Sequence, residues 1–357
     1  PSPRPSPRSL MPTPPKSGSS GEPSPQSADH ADSPESIEAD LDAASDSVEG
    51  YESDSDSAAS TSLASSVRDY VFENNRRYHK FKEGRYLIPN DDIEQEREDM
   101  KHTMCLHVAN NALHFAPLDH PQKILDLGTG TGIWAIDMGD EYPGAEIIGV
   151  DLSPIQPSFV PPNVKFYVDD VESEWVEKPE SLDFIHARHM APAIKNWPEL
   201  LKQAYQALRP GAWIELQELK LKPSCDDGTM PEDYLVADFL SNLAKGFACF
   251  GVDLLGMERN QQLLIDAGFV NVEEKIFKVP IGSWARDQKW KTIGMYNRSV
   301  IADALQGVAM GPYSRGLKWS PEEIEKYLVG VRKSLANTSI HSYYTFHVVY
   351  GQKPTTA

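Results

Sequence analysis

The chain has 357 residues and a formal net charge of -19, and it lacks a cluster of Lys and Arg that could form a basic face. Direct nucleic-acid binding is therefore not expected, because neutralising phosphates requires such clusters. There is no run of about eighteen apolar residues, so we expect no membrane association and an intracellular protein, cytoplasmic or nuclear. The cysteines are far apart and form no C-x-x-C pair, which argues against a disulfide framework and a zinc site.

Residues 1–65 are rich in proline, serine and acids and contain very few aromatic or β-branched residues. Such a segment buries too little apolar surface to offset the entropy lost on ordering. We therefore predict a disordered acidic tail over 1–65 and one folded domain over 66–357. Ser-Pro and Thr-Pro pairs in the tail would suit proline-directed kinases, but a solvating linker explains the same composition. The start at Pro1 suggests that the natural N-terminus lies further upstream.

The folded domain contains a helix-start signal at 89–92, where Asn90 or Asp91 would cap a helix that runs to about Phe115. Several acids fall in the first turns of this helix. We interpret most of them as a solvated helix face: Asp91, Asp92, Glu94 and Glu96.

Strands and helices alternate in the middle of the chain. Strands are predicted at 123–127, 145–150, 164–168, 182–187 and 212–218, and helices at 132–141 and 197–208. This alternation predicts a parallel, doubly wound sheet over about 120–220, with its ligand at the carboxyl ends of the strands.

The pattern is looser after the predicted core sheet. Two further strands are predicted at 270–281 and 342–351, and helical insertions at about 226–266 and 284–338. The second insertion is the place where we expect the wall of an acceptor pocket.

An alternating-glycine turn, Asp126-Leu127-Gly128-Thr129-Gly130-Thr131-Gly132, follows the strand at 123–127. Glycines here permit positive φ angles and let backbone N–H groups approach a ligand. Asp151 lies nineteen positions after Gly132 and ends the next strand, so its carboxylate could accept hydrogen bonds from both hydroxyls of a ribose. Asp126 suits the ammonium group of a methionine moiety. The pattern favours S-adenosylmethionine (SAM) as the ligand.

A nicotinamide or flavin dinucleotide is the main alternative ligand. The run from Gly130 to Ala135 matches G-x-G-x-x-G/A, and the acid at Asp151 is common to both interpretations. The acid before the glycines and the third alternating glycine favour SAM. An NAD-binding oxidoreductase therefore stays as a remote alternative.

Several motifs together closely resemble the fungal LaeA-like methyltransferases, from about residue 74 to 353. The matching segments are YLIPNDD at 86–92, ILDLGTGTGIWA at 124–135, GVDLSPIQP at 149–157, DDVESEW at 169–175, FIHAR at 184–188 and LRPGAWIELQE at 208–218. The glycine turn alone is typical of a whole superfamily, whereas SPIQP after Asp151 and Trp175 are specific to this group. The resemblance implies a class I, Rossmann-like α/β fold with a seven-stranded, mostly parallel sheet, helices on both faces and an antiparallel seventh strand.

The resemblance also implies roles for individual residues. Besides the turn and Asp151, Asp170 would accept from the adenine amino group and the Val171 N–H would meet a ring nitrogen. Asp169 is the competing choice for this acceptor, and both acids could instead form a solvated turn. Leu152 would pack on the adenine or belong to the ordinary core. Tyr86, with the helix after it, would close over the cofactor and exclude water.

The sequence defines the catalytic residues less sharply than the cofactor residues. Methyl transfer depends mostly on in-line positioning, and a general base is needed only when a neutral acceptor must lose a proton. His186 and His189 follow the strand at 182–187, where class I enzymes line the acceptor site. We retain both as candidates, although a histidine at such a place is more commonly structural.

Two functions are compatible with these features. The first is methylation of a small fungal metabolite at O, N or C. The second is a nuclear regulator of secondary metabolism and development that acts through protein partners. The expected partners are therefore a small-molecule acceptor or regulatory proteins, with SAM as cofactor and no metal.

Overall fold

The computed structural model describes residues 34–40, 70–73, 76–79 and 86–355. The rest of the predicted tail, 1–33 and 41–65, lies outside the described residues, so its disorder stays a prediction. Two short strands, β1 (Tyr70–Glu73) and β2 (Arg76–His79), form an antiparallel pair ahead of the main domain.

Seven described strands form the central sheet. They are β3 (Lys123–Leu127), β4 (Glu146–Asp151), β5 (Val164–Val168), β6 (Leu182–Arg188), β7 (Leu208–Ser224), β8 (Val270–Pro280) and β9 (Tyr343–Gln352). Their order across the sheet is β5-β4-β3-β6-β7-β9-β8. The first five pair in parallel, and β9 lies antiparallel between β7 and β8. This order and the reversed β9 confirm the class I methyltransferase fold.

Seven described α-helices accompany the sheet. They are α1 (Asp92–Val108), α2 (Ile133–Glu141), α3 (Trp197–Ala207), α4 (Leu235–Ala248), α5 (Asn260–Asp266), α6 (Gln288–Gly311) and α7 (Pro321–Leu335). Helices α4 and α5 fall in the first predicted insertion, and α6 and α7 fall in the second. Both sheet faces are buried, because β3 and β6 place Ile124 and Phe184 in one apolar cluster and Leu125 and Ile185 in another.

Helix α1 begins as predicted but ends earlier. Asp91 is its cap, since the Asp91 carboxylate accepts from the Glu94 N–H at 3.1 Å. The helix ends at Val108 rather than near Phe115, because Asn110 and Asn111 take positive φ angles of 54° and 66°. A residue in that conformation cannot continue a right-handed helix.

Segment 34–40 departs from the tail prediction. Ala39 forms an antiparallel bridge with Ala285, and the Arg286 N–H donates to the Glu38 carbonyl at 2.7 Å. Ile37 and Ala39 pack against a small cluster around Trp284. Backbone hydrogen bonds and an alternating apolar pair therefore dock this segment, although the surrounding composition is typical of disorder. Within the described part of the chain, no helix combines the length and apolarity that crossing a membrane requires.

Candidate active site

A cavity of about 250 Å³ lies at the carboxyl ends of β3, β4, β5 and β6. Most residues that the sequence assigns to the cofactor line this cavity: Tyr86, Gly128, Gly130, Asp151, Leu152, Asp170 and Val171. Helices α1, α4 and α6 complete its walls. The doubly wound sheet thus brings together side chains that are far apart in sequence, at the edge where such folds bind ligands.

All three alternating glycines adopt left-handed φ angles, of +66° at Gly128, +58° at Gly130 and +84° at Gly132. A Cβ on Gly128 would lie 2.0 Å from the Met190 sulfur, and one on Gly132 would lie 2.4 Å from the Phe166 ring. A Cβ on Gly130 would meet no protein atom within 4 Å. Gly128 and Gly132 therefore permit tight packing of the protein, whereas Gly130 leaves open space that a ligand can enter.

Asp151 lies beside this open space. One carboxylate oxygen accepts from the Gly130 N–H at 2.9 Å, and the other accepts from the Ser153 N–H at 2.8 Å. Burial raises the pKa of Asp151 to about 6, although these two hydrogen bonds favour the charged form. A carboxylate has lone pairs for about four hydrogen bonds, so Asp151 can accept two more from a ligand.

The group-specific SPIQP motif has a structural role next to Asp151. The Gln156 side-chain amide donates to the Gly130 carbonyl at 2.7 Å and to the Ser153 carbonyl at 2.9 Å. It therefore ties the glycine turn to the segment that follows β4. The Asn90 amide donates to the Ser153 hydroxyl at 3.1 Å, which joins the start of α1 to the same network.

Asp126 has its carboxylate held by protein. One oxygen accepts from the Thr129 hydroxyl at 2.6 Å, and the other lies 2.8 Å from Nδ1 of His186. The His186 ring stacks on Trp134 with centroids 3.6 Å apart. These residues line a smaller cavity of about 40 Å³. Burial lowers the pKa of His186 despite Asp126, so the imidazole is a neutral support for the turn.

The adenine candidates lie together after β5. Asp169, Asp170 and Val171 all line the cavity, so the choice between the two acids stays open. Asp170 is almost buried at 7% exposure and accepts from the Glu172 N–H at 3.0 Å, which argues against a solvated turn. Trp175 donates to the Val171 carbonyl at 2.7 Å and thereby fixes this segment.

Comparison with known proteins agrees with this geometry. A family model described as "Methyltransferase domain" matches residues 97–274. The chain is 42% identical to the methyltransferase pytC of Aspergillus terreus, over 91% of this chain and 98% of that protein. It is 37% identical to the secondary metabolism regulator LAE1 of Cochliobolus heterostrophus, over 79% and 94% of the two chains. The protein-methionine methyltransferase laeA of Emericella nidulans is 32% identical, over 79% and 76%.

The chain belongs to the LaeA-like methyltransferase family. Membership confirms the resemblance that the motifs carry. It also favours the methyltransferase interpretation of the glycine turn and Asp151 over a dinucleotide-dependent oxidoreductase.

In this LaeA-like methyltransferase, α1 contributes a charged wall that sequence reasoning missed. Glu94 and Arg97 are buried and paired with each other, and Lys101 donates to Glu98 at 2.7 Å. Burial disfavours the charged form of Glu98, but Lys101 and Arg97 outweigh it and lower the pKa of Glu98 to about 2. All four residues line the cavity, as does Arg188 of β6.

The prediction of a solvated helix face is therefore wrong for Glu94, although Asp92 and Glu96 are exposed. The missed signal is the spacing. Charges at 94, 97, 98 and 101 share one helix face, where core positions would normally be apolar.

The loop after β6 also lines the cavity of this LaeA-like chain. His189 lines the cavity and takes a positive φ of 57°, which is uncommon for a residue other than glycine. Desolvation, with Lys101 and Arg188 nearby, lowers the pKa of His189 well below 6.5. Its Nε2 lies 3.7 Å from the Cys105 sulfur. The imidazole is therefore neutral at physiological pH.

Glu218 holds this loop in place. One of its oxygens, Oε1, accepts from the N–H groups of Met190 at 2.6 Å and Ala191 at 3.0 Å. Burial raises the pKa of Glu218 to about 8, and burial likewise raises the pKa of Glu215 to about 7. The described residues contain no group of three or more His, Cys, Asp or Glu arranged to hold a metal ion.

These raised pKa values predict a pH-dependent stability. The folded state holds the Glu218 proton up to about pH 8, whereas an unfolded chain releases it near 4.3. The free energy of unfolding should therefore fall as pH rises from about 5 to 8. Glu218→Gln keeps Oε1 as acceptor and removes the titration, so its melting temperature should vary less over this range than that of the wild type. Glu322→Gln, on the exposed start of α7, should keep the wild-type slope, and equal slopes in all three proteins would contradict the assignment.

Proposed function

We propose that this LaeA-like methyltransferase binds SAM in the cavity and transfers its methyl group to a small acceptor. The main support is the open space at Gly130 beside the carboxylate of Asp151. That arrangement suits a ribose whose hydroxyls donate to the two free acceptor sites of Asp151. Leu152 and Val171 offer apolar contact to the adenine, and Asp170 offers an acceptor for its amino group.

The charged wall suits the methionine end of the cofactor. A zwitterionic amino-acid group carries one ammonium and one carboxylate, and the wall offers Glu98 for the first and Arg97 or Lys101 for the second. Asp126, held by Thr129 and His186, supports the turn from the adjoining cavity. Tyr86 and α1 would cover the cofactor and exclude water.

The reaction itself makes modest demands on the protein. When bound, SAM would supply an electrophilic methyl group for attack by the acceptor's lone pair, and the carbon–sulfur bond would break with its electron pair staying on sulfur in S-adenosylhomocysteine. A neutral O–H or N–H acceptor would also lose a proton. We assign this proton to the neutral imidazole of His189, which lines the cavity. We set His186 aside, because Asp126 and Trp134 hold it in a supporting position.

A second candidate function is regulation through a protein partner. Several relatives carry the name secondary metabolism regulator, and one is named a protein-methionine methyltransferase. In either case we place the activity in fungal secondary metabolism, and an intracellular location stays a prediction. A deletion strain would separate the two functions: loss of one methylated product with unchanged transcripts indicates the enzyme, and broad silencing of gene clusters indicates the regulator.

Cofactor choice can be tested directly on the purified chain. Titration calorimetry should give saturable one-to-one binding of SAM and of S-adenosylhomocysteine, because both share the adenosyl and amino-acid groups. NADH should give no saturable heat, since the chain belongs to a methyltransferase family and not to a family of dinucleotide-dependent oxidoreductases. Tight NADH binding without SAM binding would overturn the proposal.

A further inference from the structure

The cavity has an apolar wall that the cofactor assignment leaves unused. Helix α4 contributes Phe239, Leu240, Leu243 and Phe247, and helix α6 contributes Val300 and Ile301. We call these six residues, together with Asn297 and Tyr344, the apolar chamber. Exposure of the six ranges from 1% at Phe247 to 8% at Ile301, so they form an interior wall and not a surface groove.

Two polar atoms in the apolar chamber have no hydrogen-bond partner among the described residues. They are Oδ1 of Asn297 and the hydroxyl of Tyr344, on side chains that are 1% and 2% exposed as residues. Leaving a buried polar atom unpaired costs about 1–3 kcal/mol, so native proteins rarely keep such atoms without a reason.

Asn297 of α6 and Tyr344 of β9 both contact the carboxyl end of β8. The Asn297 amide donates to the Pro280 carbonyl at 2.9 Å, which fixes the orientation of the side chain and leaves Oδ1 unpaired. Tyr344 pairs with Val279, the neighbour of Pro280 in β8. Desolvation raises the pKa of Tyr344 well above 10, so its hydroxyl keeps its proton and can donate.

We infer that the apolar chamber binds a lipophilic small molecule that carries a hydroxyl or N–H donor and an oxygen acceptor. The donor would pair with Oδ1 of Asn297, and the oxygen would accept from the Tyr344 hydroxyl. The remainder of the molecule would pack on α4 and α6. This inference rests on the proposed function, because the chamber shares its cavity with the cofactor residues and its ligand is then the methyl acceptor.

Binding of 1-naphthol and of naphthalene tests the inference. The two probes share an apolar ring system, and only the first has a hydroxyl. The wild type should bind 1-naphthol at least about tenfold more tightly, since its hydroxyl can donate to Oδ1 of Asn297 and accept from Tyr344, and one buried hydrogen bond contributes about 1.4 kcal/mol. Tyr344→Phe should lose the part of that preference that the Tyr344 hydroxyl supplies, while its affinity for naphthalene and for SAM stays unchanged. Its melting temperature should not fall, because the hydroxyl it removes is unpaired.

Two further variants serve as a control and as a block of the chamber. Tyr234→Phe removes a buried hydroxyl that is paired with Ser342 at 3.0 Å, so it should lower the melting temperature and keep the 1-naphthol preference. Leu243→Trp should fill the apolar chamber and abolish binding of both probes without changing SAM affinity.

Several outcomes would decide against the inference. Equal affinity of the wild type for both probes, or an undiminished preference in Tyr344→Phe, would overturn it. Displacement of 1-naphthol by an N-acetylated methionine amide that binds more tightly would overturn it in favour of a protein acceptor. A 1-naphthol preference in a chain that fails to bind SAM would support the chamber site and refute the proposed methyl donor, so the two failures are distinguishable.

Discussion

Replacing Asp151 with alanine is expected to weaken SAM binding by at least about a hundredfold. The variant removes two charge-assisted hydrogen bonds to the ribose, and each contributes about 1.5–3 kcal/mol. It also frees the N–H groups of Gly130 and Ser153, which Asp151 holds at 2.9 Å and 2.8 Å. Titration calorimetry with SAM measures the affinity, and thermal unfolding of the free protein measures the structural part of the effect.

Asp183 offers a matched control. Its carboxylate also accepts from two backbone N–H groups, those of Gln122 at 2.8 Å and Lys123 at 2.9 Å. Asp183 lies at the start of β6, whereas Asp151 ends β4. Because these strands are parallel, the two acids lie at opposite ends of the strands, and only Asp151 lies at the end with the cavity. Asp183→Ala should therefore lose stability like Asp151→Ala and keep its affinity for SAM. Unchanged affinity in Asp151→Ala, or an equal loss in both variants, would refute the ribose assignment.

The sheet was predictable because most core strands are short apolar runs bounded by turn residues. β7 is the exception, since it runs from Leu208 to Ser224 and extends beyond both predicted bounds of 212 and 218. Strands at 123–127 and 164–168 have the predicted bounds, since the glycine turn and the acids after β5 end them sharply. The end of α1 was not predictable from pattern alone. It depends on two asparagines that take left-handed backbone angles, a conformation that asparagine tolerates but does not require.

Some site residues were likewise predictable from the sequence, and others were not. The glycine turn and Asp151 are local in sequence, so their spacing carries their function. The pairs of the charged wall are local, because Glu98 and Lys101 lie one turn apart in α1, but only the folded chain shows that this helix face borders a cavity. The apolar chamber depends on contacts between distant elements. No local signal shows that Tyr344 would keep an unpaired hydroxyl, because α4, α6 and β9 come together only in the folded chain.

Gly130→Ala is expected to abolish measurable SAM binding while costing only about 1–2 kcal/mol of stability. The cost arises from placing a Cβ at a φ of +58°, since left-handed angles disfavour residues with a side chain. No protein atom lies within 4 Å of that Cβ, so the domain itself can accommodate the methyl group. The ligand cannot, because the Cβ would enter the space next to Asp151 that we assign to the ribose.

Gly251 separates backbone strain from ligand exclusion. It has a φ of +77°, its added Cβ would also meet nothing within 4 Å, and it follows α4 on the surface. Gly251→Ala should therefore match Gly130→Ala in thermal stability and keep wild-type affinity for SAM by calorimetry. If both variants bound SAM equally well, the open space at Gly130 would not be where the methyl donor lies, and the cofactor would have to occupy another part of the cavity.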